Sequence, residues 1–515
     1  MVDEASGTRI YLRDCSRPRE LLQMNETNGT SALRAGELPE RPLSELCLCV
    51  DCDGTLVKTD LLYEGLLQLL KRSWWTIFLL PLWLVKGKPY FKNKIAERVP
   101  LDVTLLPYNV LVLERISDAR STGRTTVLVT ASPRGYAEAV SKHIGLFDRV
   151  FATDSNLNLS AANKAERLVA EFGAGNFVYA GNHRDDLAVW AASAGAIVVG
   201  GSESLTRAAM RVAPLVEVIP HDRVSMKTWM RAFRIHQWLK NLLVLIPLLA
   251  AHQVRNWPAS EASFLAFVAF SFSSSATYVI NDLLDLPADR QHRHKRTRPF
   301  ASGELSIRQG ILAAFLLIAV GTCLAAFLSP LFFGALTAYL VTTLVYSFWL
   351  KGQVMVDVML LALLYTSRIL AGSAATMIFP SFWLLAFSMF MFLSLALVKR
   401  YSEIQLLLSE SKTNAAGRGY TISDEPVLLS LGTAAGYAAI LILALYINSP
   451  DLEGLYPQRW ALWLVLPPLL YWISRIWMKA KRGELHSDPV IFAATDKQSW
   501  LIALCAAAAV GMAST

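Results

Sequence analysis

Nine apolar stretches follow Ser225, near residues 238–251, 260–280, 308–328, 331–350, 354–373, 380–398, 427–447, 459–477 and 498–513. A bilayer core about 30 Å thick is crossed by about 20 helical residues, and inside it every backbone polar group must be satisfied within its own segment. This half is therefore predicted to be an all-α polytopic membrane domain of about nine transmembrane helices. A chain of 515 residues that is 54% hydrophobic and only 17% charged agrees, as does a mean hydropathy of +0.37. Roughly the first 220 positions read as soluble protein instead. The expected division is a disordered start (1–43), a soluble domain (44–222) and the membrane domain (223–515).

The formal net charge is +8, but the basic residues gather beside the apolar stretches, which argues for membrane anchoring and phosphate binding and against nucleic acid. Arg231 to Lys240, Arg290 to Arg298, Lys351, Lys399 with Arg400, and Lys479 to Arg482 fall on one side. That side is expected to be cytoplasmic, with the soluble half on it and the spans in the inner (cytoplasmic) membrane. Met1 to Arg41 is polar and lacks the pattern of a cleavable signal. The six cysteines show no metal-ligand spacing, and Cys47, Cys49 and Cys52 are read as reduced packing residues.

In the soluble half, Leu46 to Val50 is a short apolar run suited to a buried parallel strand, and it empties into Asp51-Cys52-Asp53-Gly54-Thr55. Two carboxylates at a strand's carboxyl end can share a cation while one attacks phosphorus. An acidic turn is the better explanation of D-x-D alone, so the downstream spacing decides. A second buried run, Thr125 to Val129, ends in Thr130-Ala131-Ser132; Lys164 follows, and Phe177 to Tyr179 leads to Gly181-Asn182-His183-Arg184-Asp185-Asp186. These four signals in this order resemble the haloacid dehalogenase (HAD) phosphatase superfamily, an α/β Rossmann-like fold, over residues 44–220. The resemblance implies Asp51 as nucleophile, Asp53 as general acid/base, Thr130 and Lys164 as phosphate ligands, and Asp186 in a magnesium site. The family's last motif usually begins Gly-Asp, whereas Asn182 stands here and offers a carbonyl oxygen without charge. An active phosphatase and a degenerate scaffold both remain open.

Between the first two motifs, residues 61–109 read as a helical cap. Its run from Trp74 to Val85 is too short to span and is flanked by Lys71, Arg72, Lys86 and Lys88. A membrane-surface contact and a buried cap helix are both compatible with it.

The second apolar stretch ends in Asn281-Asp282-Leu-Leu-Asp285, continues through Asp289 and closes on Lys295-Arg296-Thr-Arg298-Pro299. Three- and four-residue spacing places Asp282, Asp285 and Asp289 on one helical face, where a hard cation bridging them to a diphosphate relieves their repulsion. These residues resemble the UbiA superfamily of intramembrane prenyltransferases, whose first signature is N-D-x-x-D-x-x-x-D and whose fold has nine spans; the resemblance covers residues 228–513. Arg234 and Gln237 to Asn241, including Lys240, open the first span, Tyr346 and Lys351 close the fourth, and Asp357 and Arg368 lie in the fifth. Where aromatic prenyltransferases of the superfamily carry a second Asp-rich motif, this chain has Lys399-Arg400-Tyr401-Ser402-Glu403. That substitution looks more like the branch making polyprenyl-phosphoryl 5-phosphoribose.

The leading expectation is magnesium-dependent transfer of 5-phosphoribose from phosphoribosyl diphosphate to polyprenyl phosphate, followed by 5-phosphate removal in the soluble domain. Magnesium sits on Asn281, Asp282, Asp285 and Asp289 in one half and on Asp51, Asp53, Asn182 and Asp186 in the other. Lys240, Asn241, Lys295, Arg298, Tyr346, Lys351, Asp357, Arg368, Lys399, Arg400, Tyr401 and Glu403 are the expected substrate contacts. The alternatives are a prenyltransferase for an aromatic or quinone-type acceptor and a non-catalytic membrane anchor or transporter presenting a phosphatase.

Overall fold

A computed structural model describes residues 2–3, 8–12, 45–154, 158–220, 224–409, 419–452, 455–485 and 488–514. They form two compact units: Met1–Ala232 with Asp282–Ile311, and Phe233–Asn281 with Leu312–Thr515.

The first unit is built on one sheet. Its strands are β1 (Val2–Asp3), β2 (Thr8–Leu12), β3 (Cys47–Val50), β4 (Thr126–Pro133), β5 (Arg149–Thr153), β6 (Phe177–Gly181), β7 (Gly195–Val199) and β8 (Leu215–Ile219), in the order β1-β2-β8-β7-β6-β3-β4-β5. The strands from β3 to β8 pair in parallel. Because helices cover both faces of such a sheet, its strands are continuous apolar runs. Leu48, Val50 and Cys52 pack into one core and Cys47 and Cys49 into the other, as side chains alternating across a pleat must. Those three cysteines are free and buried, in the packing role expected of them.

The start of the chain departs from the expectation of disorder over residues 1–43: Thr8–Leu12 pairs antiparallel with β8, and Val2–Asp3 pairs with Thr8–Leu12. Tyr, Ile and Thr suit an edge strand, and β8 has an open edge for them to cover. The remaining residues of 1–43 lie outside the described ones.

Between β3 and β4 the predicted cap is present as helices Leu61–Arg72, Leu80–Val85 and Lys88–Arg98 with a 3-10 turn Trp74–Phe78. Asp60 caps the first by accepting the N–H groups of Leu62 and Tyr63.

The second unit is helical. Among the described residues of the whole chain, seven helices are long and apolar enough to cross a membrane: Trp257–Leu284, Ile307–Leu328, Pro330–Phe348, Val356–Thr376, Phe382–Leu408, Ile422–Ile447 and Arg459–Lys481. Pro489–Thr495 and Lys497–Ser514, bent by 81°, make an eighth if taken together. The first of the nine expected stretches is an 11-residue 3-10 segment, Ile235–Leu245, running into the five-residue helix Ile246–Ala250. At about 2.0 Å per 3-10 residue and 1.5 Å per α residue it reaches roughly 30 Å, a span's length from few residues. Gly372 allows Val356–Thr376 to cross it, since a Cβ there would lie 1.9 Å from the Val244 carbonyl oxygen.

Candidate active sites

In the first unit the carboxyl ends of β3, β4 and β6 meet at a cavity of about 430 Å³ lined by Asp51, Asp53, Gly54, Lys164, Asn182 and Asp186 among others. Asp51 follows β3 directly and is 7% exposed. Its carboxylate accepts from Lys164 Nζ at 2.9 Å. Lys164 also donates to the Tyr179 hydroxyl at 2.7 Å and lies 3.7 Å from Asp186, whose other oxygen accepts the N–H groups of Asn182 and His183. Burial pushes Asp51 up to about 6 against the pull of Lys164. Burial alone would lower Lys164, but Asp51 and Asp186 outweigh it and raise the ammonium above its ordinary value.

Asp53 turns the other way. One oxygen accepts the Leu61 N–H at 2.8 Å and the other the Ser132 hydroxyl at 2.6 Å. Burial, reinforced by Asp60 and Asp51, pushes it up to about 7, so near neutrality it can hold a proton. Gly54 is required at the turn by its φ of +75°, and a Cβ there, 2.0 Å from the Asn182 amide nitrogen, would also displace that side chain.

Thr130 is fully buried, and its hydroxyl is occupied by the Ser132 N–H at 3.0 Å and by Asp53 at 3.3 Å. Ser132, two residues on, lines the cavity instead, because β4 is irregular between Val129 and Pro133 and turns this hydroxyl inward. Sequence reading also passed over Lys92, which reaches from the cap to the Ala131 carbonyl at 2.7 Å and to Asn158 at 2.8 Å and lines the same cavity. Its signal was a cap helix rich in lysine. Two carboxylates and an amide oxygen in one cavity suit magnesium, which takes one or two carboxylates and completes its shell with water and phosphate oxygens.

The acidic segment is not one uninterrupted helix. Trp257–Leu284 stops before Asp285, and Leu286–Gln291 starts afresh with Pro287 in its first turn. Pro287 has no N–H to continue the helical ladder, which corrects the expectation of a single face for all three carboxylates. Asp282 and Asp289 do converge, both accepting from Arg298 Nη1, at 3.0 and 2.6 Å. Asp285 accepts instead from Lys71 at 2.6 Å. Burial raises Asp289 above the ordinary carboxylate range despite Arg298. Nearby, Arg290 makes a two-pronged pair with Glu64, 2.9 and 2.6 Å long and almost wholly buried. Lys295 is exposed, and Asn281 is half-buried. Among the described residues no three His, Cys, Asp or Glu side chains converge on one point. The donor set suits magnesium carried in with a diphosphate, where the substrate supplies part of the shell.

The second unit holds two separate polar networks. Arg368 donates to the Asn241 side chain at 3.0 Å, to the Tyr339 hydroxyl at 3.2 Å and to the Leu364 carbonyl. Asn241 in turn donates to Ser271 and Ser274. In the other network Arg400, 1% exposed, bonds Asp357 at 2.5 Å, Glu403 at 2.7 Å and Tyr346 at 3.2 Å, while Tyr420 donates to Asp357 at 2.6 Å. Asp357 and Arg368 thus serve different networks, and Arg400 is committed to two carboxylates. Tyr401 donates to Glu425 at 2.5 Å, apart from the Arg400 group. Lys351 sits in the turn Leu350–Gly352.

Lys240 and Lys399 meet at Asp488, 2.7 and 3.2 Å away. Burial would raise Asp488, but the two ammonium groups hold it well below the usual carboxylate range. Sequence reading missed Asp488, although an Asp directly before Pro489 at the start of an apolar run is a helix-start signal, and the residue does cap Pro489–Thr495.

The chain matches two family descriptions: UbiA prenyltransferase family over residues 242–502 and haloacid dehalogenase-like hydrolase over residues 48–190. It is 38% identical to the uncharacterized protein y4nM of Sinorhizobium fredii, over 91% of both chains. It is 34% identical to the nodulation protein NoeC of Azorhizobium caulinodans over 54% of this chain and 90% of that one. A decaprenyl-phosphate phosphoribosyltransferase of Mycobacterium tuberculosis is 33% identical over 55% of this chain and 93% of its own length. Both resemblances and the fold class read from the sequence are borne out. The chain belongs to the UbiA prenyltransferase family, as a multi-pass membrane transferase that also carries a haloacid dehalogenase-like domain.

Proposed function

We propose that the protein transfers 5-phosphoribose from phosphoribosyl diphosphate to polyprenyl phosphate and that its HAD-like domain, residues 44–222, removes the 5-phosphate. The carrying observation is the basic pair Lys240 and Lys399 gathered on Asp488, with Lys399 in the stretch where an acidic second motif serves prenyl diphosphates. Two lysines held in place suit a monophosphate headgroup, and likeness to a phosphoribosyltransferase over 93% of that protein's length supports the same donor.

In the transfer, an oxygen of the lipid phosphate attacks C1 of the ribose. The bond from C1 to the diphosphate breaks, and its electron pair leaves with inorganic diphosphate. Arg298, a short way from Asp289 and Asp282, adds charge-assisted contacts to the departing group. Arg400, locked by Asp357 and Glu403, positions Lys399 beside it rather than binding phosphate. In the second step the Asp51 carboxylate attacks the 5-phosphorus while Asp53 gives its proton to the leaving ribose oxygen. Asp53 then takes a proton from the water that cleaves the phosphoryl-Asp51 bond, restoring Asp51 and releasing phosphate. Lys164 and Ser132 hold phosphate oxygens throughout. Asp282 and Asp289 would hold magnesium carried in with the diphosphate, and Asp51, Asp186 and Asn182 would hold it with the phosphate, where it would supply positive charge to stabilise the charge developing on oxygen. The spans lie in the inner membrane with the HAD-like domain on the cytoplasmic side.

Purified full-length protein with magnesium is offered labelled phosphoribosyl diphosphate or prenyl diphosphate, each with its acceptor. Consumption of the first with formation of polyprenyl-phosphoryl ribose is expected. Consumption of prenyl diphosphate alone refutes the donor assignment, and accumulation of only the 5-phosphorylated lipid refutes the second step. Asp282→Ala with Asp289→Ala is expected to abolish transfer and leave hydrolysis of a soluble phosphate ester intact.

A further inference from the structure

The cap of the first unit presents an apolar surface that its own core does not use. In the 3-10 turn Trp74–Phe78 and the helix Leu80–Val85, the inward positions are Thr76 and Trp83, 1% and 7% exposed, with Arg98 stacked on the Trp83 ring at 4.7 Å. The outward positions are large and bare: Trp75 is 52% exposed, Phe78 69%, Leu82 61% and Val85 87%. A monomeric soluble domain rarely shows such a continuous patch without a use for it.

Charge identifies the occupant. From residue 65 to residue 96 there are six Lys or Arg residues and no Asp or Glu. Arg72 and Lys88 bracket the patch and are exposed, and Lys86, also exposed, lies over the Tyr90 ring at 5.1 Å. Tryptophan and tyrosine beside lysine, around an aliphatic centre, match the chemistry of a bilayer interface, where rings sit at headgroup level and cations meet lipid phosphates. A six-residue helix rises about 9 Å, far short of a span but enough to lie in the interface. A protein partner would have to bring a matching rim of acidic groups around an apolar centre of its own. A rim of one sign fits an anionic sheet of headgroups.

We infer that residues 74–85 form a membrane-interface anchor that inserts its apolar side among acyl chains and takes anionic phospholipid headgroups on Arg72, Lys86 and Lys88. The anchor is independent of the reaction proposed above, since none of these residues touches the catalytic carboxylates.

The test uses full-length protein in nanodiscs, with Cys15→Ala, Cys323→Ala and Cys505→Ala to limit background labelling. An environment-sensitive fluorophore is attached at Val85→Cys or, as a water-exposed control on the same domain, at Asp118→Cys. Lipids carrying a nitroxide on the acyl chain are expected to quench the label at 85 at least about twofold more than the label at 118, with aqueous iodide showing the reverse order. Replacing phosphatidylglycerol by phosphatidylcholine, or introducing Arg72→Glu, Lys86→Glu and Lys88→Glu together, is expected to reduce the lipid quenching. Equal iodide access at both positions overturns the inference. So does shielding of position 85 from both quenchers, which means that a protein or a second copy covers it, and so does quenching that ignores both lipid charge and the triple substitution.

Discussion

Lys164→Met removes the one ammonium that faces both Asp51 and Asp186, at 2.9 and 3.7 Å, in a place where all three side chains are about nine-tenths buried or more. Removing one partner of a buried ion pair costs about 3–5 kcal/mol because the other charge is left uncompensated. The carboxylate escapes part of that cost by taking up a proton. About 3 kcal/mol corresponds to roughly two pKa units, which moves Asp51 from about 6 to roughly 8. At pH 7 its ionised fraction then falls from about 0.9 to about 0.1, a loss of about tenfold in nucleophile from ionisation alone. Lost phosphate contacts lower the rate further, by a factor that does not vary with pH. The measurement is hydrolysis of a soluble phosphate monoester by the full-length protein with magnesium, for variant and parent side by side. The ratio of variant to parent is expected to climb about tenfold between pH 7 and pH 9 as Asp51 ionises in the variant. A ratio flat across that range refutes the claim that Lys164 keeps Asp51 charged.

Asp53 carries a second pH signature. Its folded pKa of about 7 lies above the unfolded carboxylate value, so the fold favours its protonated form and loses stability as pH rises through about 7. Asp53→Asn is expected to abolish hydrolysis yet raise the melting temperature of the full-length protein at pH 8, by the equivalent of a few kcal/mol, with the gap narrowing as pH falls below about 7 and closing below about pH 4. Glu64→Gln leaves Arg290 buried beside a neutral partner and is expected to cost about 3–5 kcal/mol, while Glu64→Leu with Arg290→Met recovers most of it in thermal unfolding. Lys399→Ala is expected to raise KM for polyprenyl phosphate about tenfold or more, the worth of one charge-assisted hydrogen bond, with little effect on KM for the ribosyl donor. A change confined to kcat would assign Lys399 to the chemical step instead.

The spans and the order of the phosphatase signals were legible because each is a local pattern: a run of apolar residues, or a strand that ends in a particular side chain. What escaped was set by tertiary packing. Ser132 enters the cavity because β4 is irregular at its end, and Lys92 because the cap folds over the sheet. Asp488 matters through partners 248 and 89 residues away in sequence. The commitment of Arg400 to Asp357, 43 residues back, is also set by tertiary packing. Pro287 was the readable sign that Asp285 would part from Asp282 and Asp289, and helical spacing alone obscured it.

Two of the spans differ sharply in both hydropathy and burial. Ile307–Leu328 is the most apolar, at 2.7, with only 17% of its window buried, whereas Trp257–Leu284 scores 1.5 with 61% buried. Ser263, Ser271, Ser273, Ser274 and Ser275 are all buried along the latter. A serine-rich helix gains little from lipid by itself, and Ser271, Ser274 and Ser275 accept from Asn241 and Trp238 on neighbouring segments. During synthesis Ile307–Leu328 can partition into the bilayer as soon as it emerges. Trp257–Leu284 has less to gain from lipid and more from its neighbours, so the helix that leads into the acidic segment is expected to depend on helices made downstream of it for its final place.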